Sequence, residues 1–340
     1  MQQQSQMSRR HMLELTVAGG LALIDSGKAF AADQQPRIEQ FDPALEKIIP
    51  TSEPIRTLAT GFGGGGNTEG PVWWAVKEGG YLLFASIGDE KLIKYTPGKG
   101  TSVFREKTNG ANGNTRDTHG RLVSCEGLTR RVTRHEPDGS ITVVANNYQG
   151  KRINKPNDVV AKSDGSIYFT DPWNIPALPQ PWDLDFNGVY RVSPDLGTIN
   201  LLTRDLILPN GLAFSPDEKI LYIGDSRRTQ IFAFNVADNG LLLTQTQRVF
   251  ADLKGPEPGG PDGFKVDAAG NVYTGGSGGI YIIDPSGKKL GRIVHGQPQT
   301  TNIAFGGDDW KTLYFTTHST LGSVQLKTAG IPVPVPARKA

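Results

Sequence analysis

Short runs of alternating apolar and polar residues, separated by turn residues, fill most of the chain. In one of them the apolar run Val159 to Ala161 is followed by the turn residues 163–165 and by the alternating run Ile167 to Phe169. This pattern is typical of a β-hairpin. Because both ends of a hairpin lie at the same edge of a sheet, we expect Asn157, which opens the first strand, to lie close to Asp171, which closes the second.

The same unit recurs along the chain as a polar residue, a short apolar strand, a turn with Asp or Gly, and a second strand rich in Val, Ile, Tyr and Phe. The six copies open at Glu69, Asn114, Asn157, Asn210, Asp262 and Asn302. Neighbouring copies begin between 40 residues apart (302 minus 262) and 53 residues apart (210 minus 157). A repeat of this length is typical of a four-stranded propeller blade. The sequence therefore predicts an all-β fold, a six-bladed β-propeller with a central metal-binding channel.

The segments outside the six copies complete the predicted domain organisation. Residues 32–50 are expected to form a polar lead-in, residues 51–330 the propeller, and residues 331–340 a flexible Pro-rich tail that favours extended polyproline geometry. The stretch from Ile55 to Phe62 precedes the first full copy. We expect it to close the ring as an outer strand of the last blade.

The first residues have the pattern of an export signal. Ser8-Arg9-Arg10 precedes an apolar run from Met12 to Ile24 and the small-residue sequence Ala29-Phe30-Ala31. This order is typical of a twin-arginine signal with its cleavage site, and the apolar run is too short to span a bilayer. We expect residues 1–31 to direct the chain through the twin-arginine export machinery to the periplasm. A disordered cytosolic tail is the alternative.

Composition narrows the class of partner. The chain has 340 residues, is 37% hydrophobic and carries a formal net charge of +2. This length and hydrophobic content allow a large buried core. Both signs of charge are interspersed, which argues against a nucleic-acid-binding stripe and against a membrane-binding face in the mature form, so a small molecule is the expected partner. Cys125 is the only cysteine, so no intrachain disulfide can form.

The residue that opens each copy predicts the chemistry of the channel. Innermost strands line the channel of a propeller, so the six openers are expected at one mouth of it. All six carry a side-chain oxygen. Four of them, Glu69, Asn157, Asn210 and Asp262, could converge on one divalent cation with two carboxylates and two amide oxygens. A ligand set made only of oxygens favours calcium, with zinc, manganese and magnesium left open.

Each opener also has a local explanation. Asn and Asp beside Gly tolerate turn geometry and hydrogen-bond their own backbone. Agreement in phase across the copies favours the channel site, because a turn preference does not require a polar residue at the channel end of each blade. A buried Glu69 carboxylate would in addition need a cation or several donors.

A second polar set closes the second strands, near the same mouth. It consists of Glu126, Asp171, Asp225, Ser277 and His318. We expect these residues to surround the channel openers, where they could bind a substrate or accept a proton.

Several motifs together resemble one known family, from about Glu69 to His318. They are Glu69-Gly-Pro-Val-Trp, Arg152-Ile-Asn-Lys-Pro-Asn-Asp, Tyr168-Phe-Thr-Asp-Pro, Pro209-Asn-Gly-Leu-Ala-Phe-Ser-Pro-Asp-Glu and Pro261-Asp-Gly-Phe. The chain resembles the gluconolactonase, senescence marker protein and regucalcin family of six-bladed propeller hydrolases, and most closely its exported bacterial gluconolactonases. The resemblance implies one divalent metal bound by the same four openers.

The resemblance also implies a reaction, the opening of a sugar lactone to the aldonic acid with the metal as Lewis acid. On this hypothesis Asp262 doubles as the proton acceptor, and Asp225 is the second candidate. Arg152 and Asn154 would hold substrate hydroxyls or the developing carboxylate. The remaining residues expected to bind substrate are Asn114, Asp171 and His318.

Two other functions stay open at this point. One is an organophosphorus or aryl-ester hydrolase, or a lyase, built on the same propeller. The other is a non-catalytic propeller that binds a ligand or protein, which would leave two carboxylates directed at one channel without metal or proton chemistry to use them.

Overall fold

The computed structural model describes residues 35–77, 79–173 and 182–334. The expected twin-arginine signal, residues 1–31, lies outside these ranges and stays a prediction. Within them, no helix is long and apolar enough to cross a membrane. Six antiparallel sheets make up nearly all of the ordered secondary structure. The six-bladed propeller predicted from the repeat is confirmed.

The first three blades are four-stranded sheets whose strands follow one another in chain order. Blade one contains Thr68–Val76, Gly79–Ser86, Lys91–Thr96 and Gly100–Glu106; blade two Ala111–Arg116, Leu122–Glu126, Arg131–His135 and Ile141–Ala145; and blade three Val159–Ala161, Ile167–Asp171, Gly188–Val192 and Ile199–Thr203. A two-stranded ribbon between blades two and three pairs Asn147–Tyr148 with Lys151–Arg152.

The last three blades continue the meander, and two of them also take a strand from the beginning of the chain. Blade four contains Pro209–Phe214, Ile220–Asp225, Gln230–Val236 and Leu242–Asp252; blade five Phe264–Val266, Val272–Gly276, Gly279–Ile283, Lys289–Val294 and Arg37–Gln40; and blade six Asn302–Gly306, Thr312–Thr316, Thr320–Gln325 and Arg56–Thr60.

The ring is closed by a strand from the N-terminal part of the chain. Arg56–Thr60 pairs antiparallel with Thr320–Gln325 and forms the outermost strand of blade six. This pairing ties the two ends of the propeller together and covers a sheet edge that would otherwise carry unpaired backbone groups. The expected closing strand between Ile55 and Phe62 is confirmed.

Much of the expected lead-in segment, 32–50, packs on the propeller. Arg37–Gln40 pairs with Lys289–Val294 as a fifth strand of blade five. A 3-10 helix follows at Pro43–Lys47, where the Asp42 carboxylate accepts a hydrogen bond from the Ala44 N–H (2.8 Å). Its apolar residue Leu45 is fully buried in the core cluster at this blade.

The core lies between neighbouring blades, where aromatic side chains of facing sheets meet. Tyr168 of blade three packs edge-on against Phe214 of blade four, with ring centroids 4.9 Å apart. Trp73 of blade one stacks on Tyr314 of blade six at 5.5 Å. Such pairs contribute roughly 0.5–1.5 kcal/mol each beyond the burial of their apolar area. Large side chains therefore pack between neighbouring blades, and polar side chains line the channel.

The C-terminal segment crosses the end of the channel where the innermost strands finish. The Ile331 N–H donates to the carbonyl of Val266 (3.3 Å), and Arg116 donates to the carbonyl of Val333 (3.3 Å). Ile331 and Val333 line two small cavities there, together with residues from all six blades. The tail, expected to be flexible from residue 331, is thus part of the fold up to Pro334.

Candidate active site

The main cavity lies at the other end of the channel, where the innermost strands begin, and has a volume of about 810 Å³. Glu69 of blade one, Asn157 before blade three, Asn210 of blade four and Asp262 before blade five all line it. The structure thus brings together the four residues that the repeat phase and the resemblance selected.

β-Bulges shape the innermost strands at this mouth. In blade one the pairing passes from Glu69 opposite Ala85 to Val72 opposite Leu83, so that two residues face one on the partner strand. The same irregularity occurs in blade four, where Asn210 lies inside the bulge. A bulge bends its strand and redirects the side chains beside it. The bulges therefore place these polar residues at the cavity.

Glycines beside these residues let neighbouring innermost strands approach closely. A Cβ atom on Gly211 would lie 1.9 Å from the carbonyl oxygen of Asp262, and one on Gly263 would lie 1.9 Å from Cγ of Asn302. Neither glycine has a positive φ angle. The Asn-Gly and Asp-Gly pairs at these positions therefore reflect close strand packing at the channel and not turn geometry.

The two carboxylates of the cavity are almost completely buried, with Glu69 3% and Asp262 6% exposed. Burial raises the pKa of Asp262 to about 8, and the nearby Asp158 carboxyl adds to the rise. Burial also raises the pKa of Glu69 well above its usual range, with Asp262 and Asp158 contributing in that order. Like charges this close disfavour joint ionisation unless a cation or protons neutralise them.

The donors around these carboxylates are neutral. The Asn302 amide donates to Oε2 of Glu69 (3.1 Å), and the Gln299 amide donates to Oδ2 of Asp262 (3.2 Å). Among the described residues neither acid takes part in an ion pair within 4.0 Å. Three buried carboxyl groups, Glu69, Asp262 and Asp158, interact here, and the buried Lys265 ammonium interacts with Asp158 and Glu69. One lysine does not balance three acids, so a bound cation would reduce the remaining negative charge.

Amide oxygens complete a donor set suited to a hard cation. Asn210 donates through Nδ2 to Oγ of Ser226 (3.0 Å), while its Oδ1 is buried without a hydrogen-bond partner. Oδ1 of Asn112, another cavity residue, is also buried and unpartnered. In the described part of the chain no three His, Cys, Asp or Glu side chains form a metal cluster. A cation here would need the amides as well as the two acids, and these residues fit it.

Blade two opens at a different residue from the one expected. Asn112 lines the cavity from the bulge of blade two, whereas Asn114 lies two residues further along the strand. The Asn114 amide donates to the carbonyls of Gly70 (3.1 Å) and Asn112 (2.8 Å), and its oxygen accepts from Ser124 (2.6 Å). Asn114 therefore joins blades one and two and does not contact the cavity. The missed signal was the dipeptide Asn112-Gly113, which matches Asn210-Gly211.

The structure places Asn154, Asp171 and Arg152 away from the cavity. Asn154 and Asp171 are fully buried: the Asn154 N–H donates to Oδ2 of Asp171 (2.7 Å), and the Asn154 amide donates to the carbonyl of Phe186 (2.9 Å). Arg152 is exposed, and its guanidinium donates to the carbonyl of Thr129 (3.0 Å). These residues hold the loop before blade three and are not placed to touch a substrate in the cavity.

Asp225 is fully buried below the loop that precedes blade four. Its oxygens accept hydrogen bonds from the N–H groups of Ile207 (2.8 Å), Leu208 (3.3 Å), Arg227 (3.1 Å) and Arg228 (3.1 Å). The Arg228 guanidinium forms an ion pair with it at 3.0 Å. With both oxygens engaged and no place on the cavity wall, Asp225 is not arranged to act as the general base that the sequence suggested.

His318 lies beside the cavity and does not line it. It is exposed, and its Nδ1 shares a hydrogen bond with Oδ1 of Asn67 (2.5 Å), which is a cavity residue. The other cavity residues that sequence reasoning missed belong to loops outside the repeat openers: Asn67, Lys155, Arg227 and Gln299.

We expect the buried Asp171 carboxyl group to make the free energy of unfolding depend on pH. Burial raises its pKa to about 7, although backbone N–H groups of Asn154 and Lys155 favour the ionised form. The free energy that this group adds to folding is present below roughly pH 4, the pKa region of an unfolded aspartate, and is lost as the pH rises through 7.

Asp171→Asn cannot ionise and is expected to lack this loss. Between about pH 4.5 and about pH 7, the free energy of unfolding of the wild type should fall relative to the variant by up to roughly 1.4 kcal/mol per pH unit. Urea denaturation of both proteins across this range measures the difference. An offset between the two proteins that does not change with pH would contradict the prediction.

Comparisons with known proteins agree with this geometry. A family model described as SMP-30/Gluconolactonase/LRE-like region matches residues 67–319. A gluconolactonase of Zymomonas mobilis is 33% identical over 95% of this chain and 99% of its own length. A pentonolactonase of Haloferax volcanii is 26% identical over 73% of this chain and 80% of its own length.

A solved structure shows the same architecture. The gluconolactonase of Xanthomonas campestris superposes with a TM-score of 0.77 at 32% identity, covering 87% of this chain and 96% of its own. The residues matched by the family model include Glu69, Asn157, Asn210 and Asp262 of the cavity. The chain belongs to the SMP-30/gluconolactonase/LRE-like family.

Proposed function

We propose that the protein is a lactone hydrolase that opens a sugar lactone to the corresponding hydroxy acid in the main cavity. The observation that carries the proposal is the convergence of Glu69, Asn157, Asn210 and Asp262 from four parts of the chain on one cavity. The lactonase names of relatives that span most of the chain support the reaction class.

The same four residues would hold one divalent cation, with Asn112 as a further amide oxygen. A donor set without nitrogen or sulfur favours calcium over zinc, and magnesium and manganese are the other candidates. Bound there, a divalent cation supplies Lewis-acid polarisation of a carbonyl and neutralises charge that develops on oxygen.

The protein's own residues divide the remaining work. The Asp262 carboxylate lines the cavity, and the side-chain donors that contact it are neutral amides, so it is the residue best placed to accept the proton of the attacking water. The amide oxygens of Asn157 and Asn210 would serve as cation ligands, and the Asn210 amide is oriented by its hydrogen bond to Ser226. The Glu69 carboxylate is shielded from bulk water by burial, and the hydrogen bond from the Asn302 amide fixes its position.

A substrate panel tests the reaction class. Hydrolysis of aldono-lactones, an aryl ester and a phosphotriester would be followed by proton release at constant protein concentration. The proposal expects kcat/KM to be highest for an aldono-lactone. Turnover of the phosphotriester or aryl ester without lactone hydrolysis would instead support the other hydrolase class.

Removal of divalent cations is expected to lower kcat by at least about a hundredfold, because several kcal/mol of transition-state stabilisation would be lost. Tm should fall as well, since a cation that binds only the folded state stabilises it. Dialysis against a chelator, elemental analysis of the dialysed sample and re-addition of Ca²⁺ measure the effect. The matched control is Glu69→Gln, whose Tm should respond little to the chelator. Full activity in a sample verified as metal-free would refute the cation proposal.

A further inference from the structure

Besides its carboxylates, the main cavity is lined by two cationic side chains. Lys155 comes from the loop before blade three and Arg227 from the turn after the second strand of blade four. Both are exposed. In the described part of the chain, neither side chain has an ion pair or hydrogen bond with another protein group. By contrast, Arg228, the next residue after Arg227, pairs with Asp225 at 3.0 Å.

The backbone beneath Lys155 is fixed. Oδ2 of the fully buried Asp171 accepts a hydrogen bond from the Asn154 N–H (2.7 Å), and the Lys155 N–H also contacts this carboxyl. The lysine stem packs on Gly127, where a Cβ atom would lie 2.9 Å from Cε of Lys155. Lys155 therefore lines the cavity with its backbone and stem both anchored.

The backbone beneath Arg227 is fixed in the same way. Oδ1 of the fully buried Asp225 accepts a hydrogen bond from the Arg227 N–H (3.1 Å). Asp225 closes the second strand of blade four, as Asp171 closes that of blade three. In each of these two neighbouring blades, a buried aspartate at the end of the second strand holds a loop of the cavity. Each of the two loops carries one cationic side chain without a partner among the described residues.

We propose that Lys155 and Arg227 form a carboxylate-binding pair for polyhydroxy acids. The inference rests on the proposed function, because opening a lactone creates a carboxylate inside this cavity. A guanidinium offers two parallel N–H groups to a carboxylate, and an ammonium adds a point charge. The carboxylate has two sources: the one formed by ring opening, or one already carried by the substrate.

Direct binding of gluconate, measured by calorimetry, tests the pair without requiring turnover. Arg227→Gln is expected to weaken gluconate binding by at least about tenfold, because a charge-assisted hydrogen bond is lost. Lys155→Gln should weaken it less, and Arg227→Lys should lie between Arg227→Gln and the wild type. The matched control is Arg204→Gln, an exposed cation that does not line the cavity.

The outcomes separate this inference from the proposed function. Gluconate affinity that is unchanged in both glutamine variants, or equally lowered in Arg204→Gln, would overturn the pair. Gluconate binding that weakens in the glutamine variants, in a protein without lactone turnover, would overturn the reaction while supporting the pair. Circular dichroism shows that each variant is folded.

A second measurement distinguishes the two sources. The ratio of kcat/KM for glucaro-1,4-lactone, which carries a carboxylate, to that for glucono-δ-lactone is compared in the wild type and Arg227→Gln. A fall in this ratio assigns the pair to a substrate carboxylate. An unchanged ratio, together with weaker gluconate binding, assigns it to the carboxylate formed by ring opening.

Discussion

Asp262→Asn is expected to lower kcat/KM for an aldono-lactone by at least about a thousandfold. Asp262 is both a proposed cation ligand and the proposed proton acceptor, and the substitution removes the negative charge that both roles need. Asparagine has nearly the same shape as aspartate, and its side-chain oxygen can still accept the hydrogen bond from Gln299. The substitution also removes one of two buried carboxylates whose charges repel. Tm in the absence of divalent cations is therefore expected to hold or rise. Steady-state kinetics and thermal denaturation with and without Ca²⁺ measure both effects.

Asp284→Asn is the matched control for this prediction. Asp284 belongs to the same blade but lies in a turn, where its carboxylate accepts from Ser286 and Lys288. Its replacement should leave kcat/KM unchanged. Activity of Asp262→Asn within tenfold of the wild type would mean that Asp262 is neither a needed cation ligand nor the base.

Gly211→Ala is expected to damage the site through the backbone alone. The added methyl group would lie 1.9 Å from the carbonyl oxygen of Asp262, so the innermost strands of blades four and five must move apart. Overpacking of this kind costs about 3 kcal/mol of stability. Displacement of the Asn210 and Asp262 side chains by a fraction of an ångström or more is expected to lower kcat/KM by about a hundredfold.

Gly197→Ala separates this effect from the general cost of replacing a glycine. Gly197 lies in a surface turn of blade three, and the atoms nearest to an added methyl group there belong to the Asp195 side chain. Urea denaturation and kcat/KM should match the wild type closely for Gly197→Ala. Wild-type kinetics for Gly211→Ala would show that the close approach of the two strands is not needed for the site.

Most of the fold could be predicted from the repeat, because the blades of a propeller have similar lengths and the same order of strands. Alternating apolar residues, turn residues and the recurring polar opener together determine strand number and order. The phase was right at Glu69, Asn157, Asn210 and Asp262, where each opener lies at the cavity. It was two residues late in blade two, where Asn112 and Gly113 occupy the bulge that Asn210 and Gly211 occupy in blade four. Register changes of this kind are set by strand pairing and are hard to read from alternation.

The residues that close the second strands were harder to assign. Asp171 and Asp225 end their strands near the mouth as expected, but their carboxylates turn into the protein and bind the N–H groups of the preceding loops. A carboxylate at a strand end can face either solvent or a loop backbone, and the loop conformation decides between them. The loops also supply Lys155 and Arg227, which have no fixed place in the repeat.

Blade six gives the folding of this chain a distinctive order. Its outer strand pairs Arg56 with Ser323, residues 267 positions apart (323 minus 56). Blades one to four can each form from consecutive segments, whereas this pairing must wait until the last strands of the chain are available. Contacts between such distant segments slow folding. Until the ring closes, the edge of Thr320–Gln325 stays open to pairing with another chain, so this strand is the point at which an incompletely folded molecule is most exposed to aggregation.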